Sequence, residues 1–105
     1  MATHQDMEKA LHMLKTLGHP VRLSILCNLI EKGEMNAGDI VAQESAFSSQ
    51  SQTSQYLRKL RDEGLISARK EGLHVYYRLN SDDIKTLIGV LHRLYCSDNP
   101  CTPQP

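Results

Sequence analysis

Apolar residues recur at helical spacing along most of the chain, and the period changes once. Met7, Ala10, Leu11, Leu14 and Leu17 form a stripe that predicts a first helix, stopped by "GHP" at 18–20. Pro20 suits the first turn of a second helix, whose stripe Leu23, Leu26, Cys27 and Ile30 ends at Gly33. "NAGDIVAQ" reads as a short third helix with Asn36 as its N-cap, and "ESAFSS" as a polar connection around Phe47. Ser49 is placed to cap a fourth helix from Gln50 to Glu63, closed by Gly64 at its C′ position. In "LISARKEGLHVYYRL" the period falls to two, which predicts strand, glycine-containing turn and strand. Val75, Tyr77 and Leu79 then share one face, with Tyr76 and Arg78 on the other. Ser81, Asp82 and Asp83 open a last helix with their acceptors at its positive end, and its stripe is Ile84, Leu87, Ile88, Leu91 and Tyr95. The predicted fold is mainly α with a small β-hairpin. Residues 1–96 form one domain and "SDNPCTPQP", 97–105, a flexible tail.

Length and charge refine this picture. A chain of 105 residues builds one core, and the stripe on the last helix is more than so small a core covers, so a homodimer is expected. Twelve basic and twelve acidic residues give zero net charge, but the distribution is uneven. Residues 1–48 hold 4 Lys/Arg against 6 Asp/Glu, 49–80 hold 6 against 3, and 81–105 hold 2 against 3. The basic segment coincides with the fourth helix and the hairpin, as a local electrostatic footprint requires. The first residues carry no apolar signal segment and no run reaches transmembrane length, so a cytoplasmic protein without a membrane partner is expected. Three cysteines without a CxxC pair exclude a zinc-ribbon spacing.

The fourth helix carries the most specific chemistry. Thr53, Leu57 and Leu60 fall on one side and face a core, while Gln50, Ser51, Ser54, Gln55, Arg58 and Lys59 fall on the other. Ser49 and Gln52, at the helix start, complete the set expected to meet DNA. Glutamine pairs bidentately with adenine, and serine and the cations suit base edges and phosphates. An ordinary solvated helix would carry similar residues, so the order of elements decides. A short helix precedes this one, and a hairpin with Arg69 and Lys70 at its tip beside His74 follows. Helix-turn-helix plus basic hairpin is a winged helix, which predicts double-stranded DNA as the partner.

"LGHPVRLSIL", "SQSQTSQYLRKLRDEGLI" and "VYYRL" together resemble the ArsR/SmtB family of bacterial dimeric winged-helix repressors, over about residues 8 to 96. The resemblance implies an inverted-repeat operator and a homodimer through the first and last helices, at Leu11, Leu14, Leu87, Ile88, Leu91 and Tyr95. It implies no enzymatic activity. Two features depart from the family pattern. Tyr56 stands where histidine is common, and "AQESAFSSQS" is longer than the usual turn.

Family members often sense metals, but the ligands are poorly represented. "EMNAGDI" holds no cysteine, and Asp82, Asp83 and His92 on the last helix lack a second histidine at workable spacing. Neither a metal nor another cofactor is expected. "SILCNL" and "LHRLYC" instead resemble the thiol-sensing branch of the family, which implies that Cys27 and Cys96 form a redox-sensing pair responding to reactive sulfur or oxidants. Cys27 taken alone reads more readily as a buried core thiol, because it lies on an apolar stripe, and it is the pairing with Cys96 that favours the sensor. His92 and Arg93, near Cys96, favour a thiolate, whereas the negative helix end opposes one. Cys101 departs from the two-cysteine pattern and reads as dispensable, or at most as a resolving thiol. Three alternatives stay open: a metal-responsive regulator, a regulator without effector, and a small thiol oxidoreductase, which lacks its usual motifs.

Overall fold

The computed structural model describes residues 3–95. Helix α1 (His4–Leu17) starts in a capping box, in which Thr3 Oγ1 accepts from the Asp6 N–H and the Asp6 carboxylate accepts from the Thr3 N–H. Helix α2 (Pro20–Lys32) begins on His19 as N-cap with Pro20 in its first turn, and ends at Gly33, whose φ of 82° few other residues tolerate. A two-residue strand β1 (Met35–Asn36) precedes α3 (Ala37–Gln43), where the Asn36 side chain accepts from the Gly38 N–H at 2.7 Å. Helix α4 (Gln50–Asp62) closes on a Schellman motif: the Leu65 N–H reaches the Leu60 carbonyl and the Gly64 N–H that of Arg61, both at 3.0 Å. Strands β2 (Ile66–Glu71) and β3 (His74–Leu79) form the hairpin, and α5 (Asp82–Tyr95) follows.

The sheet is antiparallel in the order β1-β3-β2, with Met35 opposite Tyr77 and Ile66 opposite Leu79. The predicted elements are all present; the addition is β1. Two residues carry no periodic signal, and their partner strand lies some forty positions away.

Helix α2 is the centre of the domain. The predicted stripe Leu23, Leu26, Cys27 and Ile30 is narrower than the buried face, since every residue from Ser24 to Leu29 is buried. Leu26, Leu60 and Ile88 are fully enclosed, with Ile40, Leu57, Ile66, Leu79 and Ile84 around them. Ile88, expected at a dimer interface, is not there: at 0% exposure it belongs to the core of its own chain. Leu91 is half-buried and packs on the same core. The stripe on α5 therefore divides in two. Ile84, Ile88 and Leu91 turn inward, while Leu87, Val90, Leu94 and Tyr95 remain exposed. Helix α1 behaves similarly, burying Leu17 and leaving Met7, Leu11 and Leu14 exposed.

Candidate nucleic-acid interface

The turn between α3 and α4 starts at Glu44, whose backbone carbonyl accepts from the N–H groups of Phe47 and Ser48 at 3.0 Å. Ser48 is buried and its hydroxyl accepts from Thr53 Oγ1 at 3.0 Å, so the turn is fastened to the inner face of α4. Leu57 and Leu60 complete that face, and the opposite one faces solvent as predicted.

The outward residues divide by what already holds them. Ser49 and Gln52 form a reciprocal capping box at 3.1 and 3.2 Å, and so set the start of α4. Gln50, Ser51, Ser54, Gln55 and Arg58 stand exposed beyond it. Lys59 is turned toward the end of the helix, where Glu63 accepts from its Nζ at 2.9 Å. Glu63 also accepts from Thr16 Oγ1 at 2.7 Å and lies 2.9 Å from His12 Nε2, joining α1 to α4. Burial raises the Glu63 pKa, but these three partners outweigh it and hold the carboxyl below its ordinary range.

In the hairpin, Arg69, expected at the tip among the residues that meet DNA, is already engaged within the domain. Its guanidinium donates to Glu34 at 2.7 Å and to Glu71, and lies 4.7 Å from the centre of the Tyr76 ring. His74 Nδ1 lies 3.1 Å from Asn36 Nδ2, tying the strand to the cap of α3. Among the described residues, Arg58 and Lys70 have no ion-pair partner, which leaves them as the open cations of the predicted set.

Tyr56 connects α4 to α2. His19 Nδ1 accepts from the Val21 N–H at 3.2 Å, so its proton sits on Nε2, which donates to the Tyr56 hydroxyl at 3.2 Å. Burial and the nearby Arg22 push the His19 pKa down, which favours the neutral form that can cap. Sequence reasoning marked Tyr56 only as a departure; the "GHP" histidine was the signal for its partner.

Glu44 was also missed. It lay in a segment read as a polar connection, yet it is 1% exposed. Ser24 Oγ donates to its Oε2 at 2.8 Å, and Oε1 has no hydrogen-bond partner among the described residues. Ser24 and Asn28, polar positions within the apolar body of α2, were the available hint; Asn28 Nδ2 donates to the Ser24 carbonyl at 2.9 Å. Burial pushes the Glu44 pKa up. Because the folded pKa exceeds the unfolded one, stability falls as pH rises from the ordinary carboxyl value through the folded pKa. Glu44→Gln keeps an acceptor for Ser24 and removes the charge. Its melting temperature should exceed wild type at pH 8 by about 4 °C or more, the shift that ~1 kcal/mol gives in a small domain. Calorimetry at pH 4 should show the difference shrinking.

Cys27 is 3% exposed on α2, which packs against α5. Glu31, one turn further along α2, lies 3.6 Å from His92 Nε2 on α5. Cys96, Cys101 and the tail at 97–105 lie outside the described residues. Among the described residues no group of three or more His, Cys, Asp or Glu converges as a metal-ligand set, and no helix is long and apolar enough to cross a membrane.

A helix-turn-helix with an outward polar face on its second helix, followed by a braced hairpin, defines a winged-helix transcriptional regulator. Residues 19–68 match the family model for bacterial regulatory proteins of the arsR family. Over 99 residues the chain is 41% identical to the transcriptional activator HlyU of Vibrio cholerae, covering 90% of this chain and 89% of that protein. It is 35% identical to the biofilm growth-associated repressor of Xylella fastidiosa, covering 90% and 84%. The solved structure of reduced HlyU from Vibrio cholerae superposes with a TM-score of 0.79 at 40% identity, covering 88% of this chain and 94% of that one. The chain belongs to the ArsR family. Its relatives and structural neighbours are transcriptional regulators rather than enzymes.

Proposed function

We propose that the protein is a homodimeric repressor that binds an inverted-repeat operator and releases it when Cys27 and Cys96 react with reactive sulfur species or oxidants. One observation carries the DNA reading. Gln50, Ser51, Ser54, Gln55 and Arg58 are exposed together on α4, while the opposite face is fastened to the core by Thr53, Leu57 and Leu60. Such a helix can enter a major groove without unfolding anything, and its side chains match the donors and acceptors of base edges.

The dimer reading rests on the exposed apolar residues of α1 and α5, two helices that both pack on α2. The thiol reading rests on the position of Cys27 in α2 and of Cys96 directly after the last residue of α5. A solved structure of the relative HlyU from Vibrio cholerae is described as reduced.

The DNA reading is tested by fluorescence anisotropy on a duplex that the reduced protein selects from a random-sequence library. Affinity should fall steeply with salt, as released counterions require. Gln55→Ala should cost about 1–3 kcal/mol and relax preference at one base pair. An unchanged sequence preference in Gln55→Ala would place base reading elsewhere on α4.

A further inference from the structure

The tip of the hairpin carries an apolar side chain that packing does not explain. Glu71 pairs with His74, so the connection is the two residues Gly72 and Leu73. Gly72 has φ of 61°, and no described non-glycine residue has positive φ, so Leu73 does not. This sign pattern is that of a type II′ turn, which requires glycine at its first central position and accepts a wide range of residues at its second. The chain places leucine there and leaves it 98% exposed. The other large exposed apolar residues lie on α1 and α5 or, for Phe47, in the turn before α4. Leu73 stands apart from all of them.

Its support is stiff and its surroundings suit DNA. Arg69 clamps β2 to Glu34 in the body of the domain and lies against Tyr76 on the neighbouring strand. The same guanidinium engages Glu71, so the one carboxylate near the tip is compensated. Lys70 is exposed on one side of the turn and His74 on the other. An apolar side chain held out on a rigid arm, beside a cation and beyond a groove-reading helix, is how architectural proteins open a base step in the minor groove. Flexible pyrimidine–purine steps yield to such a wedge most cheaply.

We propose that Leu73 is a wedge that enters the minor groove flanking each operator half-site and partly unstacks a flexible base step there, so that it sets sequence preference outside the bases read by α4. The proposal rests on the DNA-binding reading above. Its signature is that affinity is lost without loss of charge. Leu73 contributes no counterion release, whereas Lys70 does.

The test uses the full chain, reduced, on the selected duplex across a salt series. Leu73→Ser should weaken binding roughly tenfold, the scale of losing one buried leucine contact, with the salt slope unchanged. Leu73→Phe should retain affinity. Lys70→Ala should instead reduce the slope by about one. Replacing a flexible flanking step by a stiff A-tract should weaken wild type and leave Leu73→Ser unaffected, and energy transfer between duplex ends should report a smaller bend for the serine variant. The leucine lies outside the core, so the melting temperature serves as the folding control. Equal affinity of Leu73→Ser and wild type, or indifference of wild type to the flank, would overturn the wedge. If the library yields no duplex for wild type, the DNA-binding reading fails and the wedge with it. Bound wild type with an unaffected serine variant fails the wedge alone.

Discussion

Leu14→Asp and Leu94→Asp are each expected to give a folded monomer that has lost operator binding. Leu14 on α1 is 61% exposed and Leu94 on α5 is 62% exposed, so neither substitution disturbs the core around α2. In a two-fold dimer each position occurs twice, and one substitution therefore removes two apolar contacts and brings two carboxylates into the contact surface. An unpaired charge in such a surface costs several kcal/mol, enough to weaken association by more than about a hundredfold. Sedimentation velocity should show the monomer, and the circular dichroism melt should stay close to wild type. Operator affinity should fall with dimer population, because a monomer contacts one half-site. Ile88→Asp is a useful contrast: it places the charge in the core and should unfold the domain. A dimer that survives both Leu14→Asp and Leu94→Asp would put the interface on another face.

What the sequence made legible was local. Asn36, Ser49, Gly64 and Pro20 mark helix ends through contacts a few residues long, and each lies where its chemistry predicts. The outward face of α4 followed from helical period alone, because its inner anchors Thr53, Leu57 and Leu60 are one stripe. What was not legible depends on distant partners. Arg69 reads as a free cation until Glu34, 35 positions away, is brought against it by the hairpin. Glu44 reads as solvated until Ser24, 20 positions away, is placed over it. The stripe on α5 reads as one face, although Ile84, Ile88 and Leu91 serve the core and Leu87, Val90, Leu94 and Tyr95 lie outside it. Helical period identifies apolar positions without saying which neighbour covers them, and a helix packed on one side by its own chain and exposed on the other satisfies the same pattern.

Cys27→Ser is expected to leave operator binding by the reduced protein intact and to abolish release by a persulfide donor. Cys96→Ser should behave identically, and Cys101→Ser should respond like wild type. Cys27 sits on the helix that also carries Ser24, the partner of Glu44 at the head of the helix-turn-helix turn. A covalent bridge from α2 to the end of α5 would therefore act on both the reading head and the helix that carries part of the proposed interface. Dimeric readers must hold their two heads about 34–36 Å apart to fit successive grooves, so a small re-aiming of one helix pair suffices for release. Bridge length sets the selectivity. A disulfide requires Cα atoms about 4.4–6.8 Å apart with a fixed dihedral, and each inserted sulfur extends the reach by roughly 2 Å. With a persulfide donor RSSH the step balances: two protein thiols and two RSSH give one trisulfide bridge, two RSH and one hydrogen sulfide. Peroxide can remove two hydrogens and form a disulfide, but it supplies no sulfur. Intact-mass analysis after each treatment should show an intrachain Cys27–Cys96 product with additional sulfur from the persulfide donor and little bridging from peroxide. Serine at so buried a position adds a core hydroxyl, so Cys27→Ala is the paired control, and both variants should bind and fail to release. Equal bridging by peroxide would make the pair a general oxidant switch. A wild-type protein that releases DNA with no Cys27–Cys96 product, or a Cys27→Ala variant that still responds, would overturn the pair as the sensor and leave Cys27 as a packing residue of α2.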